Sequence, residues 1–215
     1  MMKYKAIIFD LDGTLTDTLE DLCLSVNHAL RSCELPERTL DEVRHFVGNG
    51  VRKLIERSVP SGTEPRLLEQ CFETFRAHYV IHCQDHTCLY PGIASLLTAL
   101  HAKGYKMAVV SNKLQSGVDE LADLFFNGVI DVAIGERPGI PCKPAPNMVL
   151  AALAQLGVTP SEAVYVGDSD VDLQTAANAE LPCISVLWGF RNRDFLVAHG
   201  ATMLVERPQD ILSLV

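Results

Sequence analysis

The sequence predicts an α/β protein built on a doubly wound parallel sheet, with a block of helices inserted near its beginning. Three observations lead to this expectation. Short apolar runs alternate with helical segments over residues 93–205, which is typical of parallel strands joined by crossover helices. Residues 17–82 show helical periodicity without a convincing strand. One further apolar run, over residues 5–9, precedes that helical block and completes the sheet.

Each predicted strand is a short apolar run that ends at charged or turn residues. Helices between the strands are indicated by apolar residues at helical spacing. One of them ends before Gly104 and another before Gly157, since glycine commonly follows the end of a helix. The predicted strands after the first cover residues 107–110, 129–134, 163–166, 183–186 and 203–205.

The inserted block carries its own turn and capping signals. Thr39 and Glu42 have the spacing of a capping box, residues 48–50 (Gly-Asn-Gly) break the chain, and Pro65 suits a first helical turn. Ligands in open α/β sheets bind beyond the carboxyl ends of the strands. Because the block leaves the chain directly after the first strand, we expect it to form a cap over the site. The predicted domains are an α/β core of residues 1–15 and 88–215 and a helical cap of residues 16–87.

Composition limits the partners that such a protein can have. The 215 residues are 48% hydrophobic, which is enough for a buried core. A net charge of −9 disfavours nucleic acid, and it would also repel a phosphorylated substrate unless a metal or local cations reverse the field. The seven cysteines are scattered without a CxxC pair, so no disulfide framework or zinc site is expected. The first apolar run is too short for a signal peptide or membrane span. We therefore expect a cytoplasmic protein, either a monomer or a homodimer, that binds neither nucleic acid nor membranes.

Polar residues gather at the ends of the predicted strands and in one loop. Several carboxylates that converge in one cleft repel each other unless a cation holds them. Oxygen ligands without histidine or thiolate favour Mg²⁺ over Ca²⁺ or Zn²⁺. The polar set consists of Asp10 and Asp12, of Ser111, Asn112 and Lys113, of Lys143, and of Asp168, Asp170 and Asp172.

The chemistry of this set points to phosphoryl transfer. A carboxylate such as that of Asp10 can attack phosphorus when a metal neutralises charge on the transferring group. A second acid, Asp12, could protonate the leaving alkoxide and then deprotonate water. Ser111 and the backbone amides after it can donate to phosphate oxygens. The sequence therefore predicts a magnesium-dependent phosphatase with an aspartyl-phosphate intermediate.

Four segments of the chain resemble the four motifs of the haloacid dehalogenase-like hydrolase superfamily, in order and in spacing. They are residues 10–16 (DLDGTLT), Ser111-Asn112, Lys143-Pro144 and residues 167–170 (GDSD). The resemblance spans essentially the whole chain, and the inserted block resembles the helical cap of the phosphoglycolate phosphatase-like branch. The resemblance implies a Rossmann-like core, an aspartyl-phosphate and Mg²⁺.

The resemblance also implies roles for the acidic residues. Asp10 would be the nucleophile and a metal ligand. Asp12 would be the acid/base and would bind the metal through its carbonyl, and Asp168 would be the other protein ligand. Asp172 would orient the motif lysine or a metal-bound water. Asp170 would lie in the outer part of the site, at a position where the branches of the superfamily differ.

Substrate contacts are implied in both predicted domains. Ser111, Asn112 and Lys143 would hold the phosphate. Residues 47–53 are similar to a segment common in phosphoglycolate phosphatases, where Asn49 could present backbone amides and Arg52 could grip a substrate carboxylate. In the alternative interpretation, this segment only turns the chain and Arg52 is solvated. The resemblance points to 2-phosphoglycolate as the substrate.

Other activities are compatible with the same motifs. A sugar-phosphate mutase or an inorganic pyrophosphatase could use this core chemistry. A phospho-accepting receiver domain also has an aspartate, a lysine and Mg²⁺ at strand ends, but it needs neither Asp12 nor a large insertion. A dehalogenase displaces halide, which requires neither a proton nor a metal, so it has no use for Asp12 or an acidic fourth motif.

Overall fold

The computed structural model describes residues 3–126 and 128–215 and divides the chain into two compact units. The core unit consists of the chain up to Thr16 together with Leu89–Val215, and the helical unit is Asp17–Cys88. Both crossings between the units occur in β2 (Thr16–Asp17) and β3 (Cys88–Leu89), which pair in a two-stranded sheet. The predicted function of the helical unit as a cap stays a prediction.

The helical unit follows β1 (Ala6–Phe9) and β2. The predicted capping box is confirmed, because Thr39 and Glu42 bond reciprocally at the start of the second helix of this unit. Pro65 occupies a first helical turn, as predicted. The helices are α1 (Leu19–Ser32), α2 (Leu40–Phe46), α3 (Gly50–Ser58) and α4 (Pro65–His82).

The core unit alternates helices and strands after β3. The elements in chain order are α5 (Ile93–Ala102), β4 (Lys106–Leu114), α6 (Gln115–Phe125), β5 (Val132–Glu136), α7 (Asn147–Leu156), β6 (Ala163–Gly167), α8 (Asp170–Asn178), β7 (Cys183–Val186), α9 (Arg193–Ala198) and β8 (Met203–Val205). Two 3₁₀ turns, Pro160–Glu162 and Pro208–Ser213, precede β6 and follow β8. Within the described residues, no helix is long and apolar enough to cross a bilayer.

The six long strands form one parallel sheet in the order β5-β4-β1-β6-β7-β8, which confirms the predicted α/β fold class. β1 is buried on both faces: Ile7 and Phe9 pack in one hydrophobic cluster, and Ala6 and Ile8 pack in the other. Burial on both faces explains why the strand is a continuous apolar run. Phe9 is paired with Val109 of β4 and with Val166 of β6. The residues that follow these three positions therefore lie together at the carboxyl ends of the strands.

Two predicted strands have different bounds in the structure. The strand predicted over residues 129–134 is Val132–Glu136, because the chain turns after α6 and the Val129 amide bonds the Phe126 carbonyl. Val129 instead packs against the first hydrophobic cluster, so its apolar side chain serves packing rather than strand pairing. β4 runs past the predicted end at residue 110 to Leu114, through an irregularity in its pairing with β5.

Candidate active site

The site lies where β1 and β6 end side by side. Asp10 follows β1, and its amide donates to the Val166 carbonyl at 2.9 Å, so the backbone of Asp10 remains fixed to β6. Asp168 directly follows β6, and Asp172 lies in the first turn of α8. Because these strands are parallel, their carboxyl ends bring residues far apart in sequence to one place.

Asp10, Asp168 and Asp172 form a buried group that could hold a metal ion, with one carboxylate oxygen from each within 4.8 Å of the others. Burial and repulsion by Asp172 raise the pKa of Asp10 well above its ordinary value. The same two causes raise the pKa of Asp168 to about 7. Buried carboxylates that repel each other need positive charge nearby to stay ionised. Because all their ligand atoms are oxygens, they suit a hard divalent ion such as Mg²⁺.

Lys143 is a cation that the protein itself places beside these carboxylates. Its Nζ is 2.7 Å from Asp10 Oδ1 and 2.8 Å from Asp172 Oδ1, and it donates to the Tyr165 hydroxyl at 3.1 Å. Burial alone would lower the pKa of Lys143, but the carboxylates of Asp10 and Asp172 outweigh burial and raise it. The two carboxylates therefore favour the charged form of Lys143.

Asp172 forms a buried ion pair with Lys143. Burial alone would raise the pKa of Asp172, but the charge of Lys143 and hydrogen bonds from Lys143, Ser169 and Tyr165 together outweigh burial and lower it. The Tyr165 hydroxyl and the Ser169 hydroxyl donate to this carboxylate at 3.1 and 2.6 Å. The structure thus brings the predicted pair Asp172 and Lys143 into contact and adds Tyr165, which the sequence analysis did not identify. Tyr165 lay inside an apolar strand pattern, which gave no sign of a polar function.

Asp168 is held by a tightly packed turn. The Phe190 amide and the Thr14 hydroxyl donate to its carboxylate at 2.7 and 3.3 Å. A Cβ added at Gly13, where φ is +87°, would lie 2.5 Å from Asp168 Oδ2, and one added at Gly189 would lie 2.4 Å from Asp168 Cβ. Both positions therefore require glycine. Gly189 was missed because it lies beyond β7, outside any motif.

The Asn112 side chain makes two hydrogen bonds to the backbone of Lys143. Its Nδ2 donates to the Lys143 carbonyl at 3.0 Å, and its Oδ1 accepts from the Lys143 amide at 2.8 Å. The Ser111 hydroxyl accepts from the Lys113 amide at 3.1 Å. Both residues are buried at the end of the regular part of β4. Their contact with phosphate stays a prediction.

The side chain of Asp12 faces a lysine to which the sequence analysis gave no function. Lys113 Nζ is 3.4 Å from Asp12 Oδ1, and the lysine side chain is only 3% exposed. Sequence spacing could not reveal this contact, because it joins residues about 100 positions apart. Asp170 lies further out, with its carboxylate 3.9 Å from Arg191 Nε.

The two residues predicted to set substrate specificity in the helical unit have partners within that unit. Arg52 pairs with Glu69 at 2.6 Å and with Glu56 at 3.5 Å. The Asn49 carboxamide oxygen accepts from Arg57 at 2.7 Å. A substrate carboxylate would have to compete with two glutamates for Arg52. Binding of the substrate carboxylate by Arg52 stays a prediction.

Proteins similar to this chain include named enzymes. A phosphoglycolate phosphatase from Aquifex aeolicus is 35% identical, over 98% of this chain and 96% of its own length. A solved structure of a proposed phosphoglycolate phosphatase from Lactobacillus delbrueckii subsp. bulgaricus is 37% identical with a TM-score of 0.93, over 99% of this chain and 98% of that one. CbbY from Rhodobacter sphaeroides, solved in complex with phosphate, is 26% identical with a TM-score of 0.74, over 97% and 96% of the two chains.

Fold, site and relatives together define a phosphatase, an enzyme that hydrolyses phosphoric monoesters. The model of the haloacid dehalogenase-like hydrolase family matches residues 7–186. That range contains all four predicted motifs, and the chain belongs to this family.

Proposed function

We propose that the protein is a magnesium-dependent phosphatase that hydrolyses 2-phosphoglycolate through a phosphoryl group carried on Asp10. The buried contact between Asp10 and Lys143, beside Asp168 and Asp172, is the observation that carries this proposal. The substrate is supported by likeness to the Aquifex aeolicus enzyme over nearly the whole length of both chains. The absence of a membrane-spanning helix within the described residues is compatible with the proposed location in the cytoplasm.

In the first step, a carboxylate oxygen of Asp10 attacks phosphorus and the bond from phosphorus to the ester oxygen breaks. Asp12 donates a proton to that oxygen, so the alcohol leaves in neutral form. Mg²⁺ bound by Asp10, Asp168 and the carbonyl of Asp12 would neutralise charge on the phosphoryl group and align it with the nucleophile. Lys143 acts against the burial and repulsion that raise the pKa of Asp10, and it would offset phosphate charge.

In the second step, Asp12 takes a proton from water and the water oxygen attacks phosphorus. The bond from phosphorus to Asp10 breaks, which releases inorganic phosphate and restores Asp10 as a carboxylate and Asp12 as a carboxylic acid. Ser111 and Asn112 would donate to the phosphate oxygens throughout. The helical unit would act as a cap that limits the substrate to a small organic phosphate.

A panel of phosphorylated compounds with Mg²⁺ tests the proposed function. Released phosphate and product isomers should both be measured, for 2-phosphoglycolate, sugar phosphates, short alkyl phosphates and pyrophosphate. We expect the highest kcat/KM for 2-phosphoglycolate, with free phosphate as the product. Isomer formation without phosphate release would indicate a mutase, and preference for pyrophosphate would indicate a pyrophosphatase. A long-lived phosphoprotein without turnover would indicate a receiver.

A further inference from the structure

We propose that Lys113 binds the carboxylate of the substrate, so that selection of carboxylate-bearing esters is built into the core unit. This inference rests on the proposed function and names the residue that sets its specificity. The substrate class is a phosphate monoester whose carboxylate is attached to the carbon that bears the phosphorylated oxygen. 2-Phosphoglycolate is the smallest member of that class.

The first observation is that Lys113 is a buried cation beside the proposed acid/base. Its side chain is only 3% exposed, and its Nζ lies 3.4 Å from Asp12 Oδ1. A buried ammonium is costly unless an anion faces it, and here Asp12 faces it. Gly117 of α6 leaves room for the lysine stem, since a Cβ added there would lie 3.1 Å from Lys113 Cε. The fold thus accommodates a long cation beside the proposed acid/base, where a neutral residue would be easier to bury.

The geometry of the proposed reaction brings the substrate carboxylate to this cation. A general acid must lie within about 2.6–3.2 Å of the oxygen that it protonates. The carboxylate carbon of 2-phosphoglycolate is two bonds from that oxygen, so the carboxylate oxygens lie about 3 Å from it, given bonds of about 1.5 Å. A cation in contact with Asp12 is therefore within reach of the carboxylate. An ester whose carboxylate is one carbon further away would place its charge beyond that reach.

Other cations are less suitable for this function. Lys143 is engaged by Asp10 and Asp172 on the side of the nucleophile. Arg52 is balanced by Glu69 and Glu56 and stacks over the Phe72 ring at 4.8 Å. Lys113 faces the acid/base itself, which is the point at which the leaving group must lie.

The test compares three esters: 2-phosphoglycolate, ethyl phosphate, which lacks a carboxylate, and 3-phosphoglycerate, whose carboxylate is further from the phosphorylated oxygen. Two variants remove the charge of Lys113. Lys113→Met keeps the stem alone, and Lys113→Gln keeps a donor for Asp12 and guards against misfolding. Lys103→Met, at an exposed lysine after α5, is the matched control. Thermal unfolding would verify that each variant folds.

We expect the Lys113 variants to lose about 10- to 100-fold in kcat/KM for 2-phosphoglycolate, the size of one charge-assisted contact. Ethyl phosphate and 3-phosphoglycerate should lose less than 2-phosphoglycolate does, because for them the variants remove only the contact with Asp12. An equal loss with 2-phosphoglycolate and ethyl phosphate would overturn the inference and show that Lys113 positions Asp12 for every substrate. In that outcome the proposed function stands.

Arg52→Ala completes the comparison. We expect it to affect all three esters alike, and a loss confined to 2-phosphoglycolate in Arg52→Ala but not in the Lys113 variants would transfer the carboxylate site to Arg52. If the unmodified protein hydrolyses ethyl phosphate as well as 2-phosphoglycolate, the proposed substrate itself is wrong. That result overturns the inference as well, and it is recognised before any variant is measured.

Discussion

At the scale of single residues, the charges around Asp10 decide what the site can do. Three buried carboxylates lie together, two of them, Asp10 and Asp172, contact Lys143, and burial raises the pKa values of Asp10 and Asp168. The nucleophile therefore depends on added positive charge to remain ionised. A divalent cation would supply that charge, and a phosphate ester could then approach a site that would otherwise repel it.

The first prediction concerns the nucleophile. Asp10→Asn keeps the shape of the side chain but removes the attacking charge, so kcat for 2-phosphoglycolate should fall by several powers of ten. Steady-state phosphate release measures the loss. Asp170→Asn is a suitable comparison, since Asp170 lies further out beside Arg191. Substantial turnover in Asp10→Asn would contradict the assignment.

The second prediction concerns Lys143. Because its Nζ contacts Asp10 at 2.7 Å, it should stabilise charge mainly in the transition state. Lys143→Ala should lower kcat as well as raise KM, by about a hundredfold or more in kcat/KM. Steady-state kinetics with saturating Mg²⁺ separate the two constants. A change in KM alone would make Lys143 a residue for binding rather than for catalysis.

The third prediction follows from the pKa of Asp168, which is raised to about 7. Below that pH the carboxyl is protonated, so a metal must displace a proton in order to bind. The affinity for Mg²⁺ should therefore rise as the pH rises through 7. The increase in Tm caused by Mg²⁺ should be larger at pH 8 than at pH 6. Asp168→Asn should reduce it at both, and a shift independent of pH would count against this ligand.

Much of the site was predictable at this scale, because Asp10, Asp168 and Lys143 belong to motifs with fixed spacing. The partners of those residues were not predictable. Tyr165 was hidden in an apolar strand, and the contact between Lys113 and Asp12 depends on the pairing of β1 with β4. Periodicity reports which face of an element is buried, but it does not report which distant side chain lies opposite.

At the scale of secondary structure, apolar periodicity and capping signals predicted most elements. They succeeded where local chemistry dominates, as in the capping box of Thr39 and the left-handed Gly157 after α7. They failed over residues 129–131, where an apolar turn after α6 was predicted as the start of the strand that begins at Val132. The difference between an apolar turn and a strand lies in tertiary packing, which local sequence does not encode.

Asp21 of α1 illustrates how one buried side chain supports several backbone groups. Its carboxylate accepts from the amides of His86 and Thr87 and from the Thr87 hydroxyl, and so ties α1 to the segment before β3. The fourth prediction is that Asp21→Ala lowers the free energy of unfolding by about 2 kcal/mol or more, because it leaves buried donors without an acceptor. Urea unfolding measures this effect. Its neighbour Glu20, which is exposed, provides the control: Glu20→Ala should cost less than about 0.5 kcal/mol.

At the scale of the whole molecule, an acidic chain buries two of its lysines beside the candidate site. The chain carries −9 overall, yet Lys143 and Lys113 are both buried at the end of the sheet that carries the site. The inserted unit was predictable because the pattern of the sequence changes from strands to helices and back. Its function as a cap was not, because that function depends on how the unit meets a substrate.

The position of β1 in the middle of the sheet has a consequence for biosynthesis. Ala6 faces Lys106 on one side and Ala163 on the other, so about a hundred residues must follow the strand before its first neighbour exists. At about 5–20 residues per second, the ribosome needs about 5–20 s to produce them. During that interval the apolar segment Ala6–Phe9 has no partner strand, whereas Asp17–Cys88, a compact unit in itself, is already complete. The nascent chain therefore carries an unpaired apolar segment ahead of a unit whose residues are all present, and an exposed segment of this kind favours aggregation.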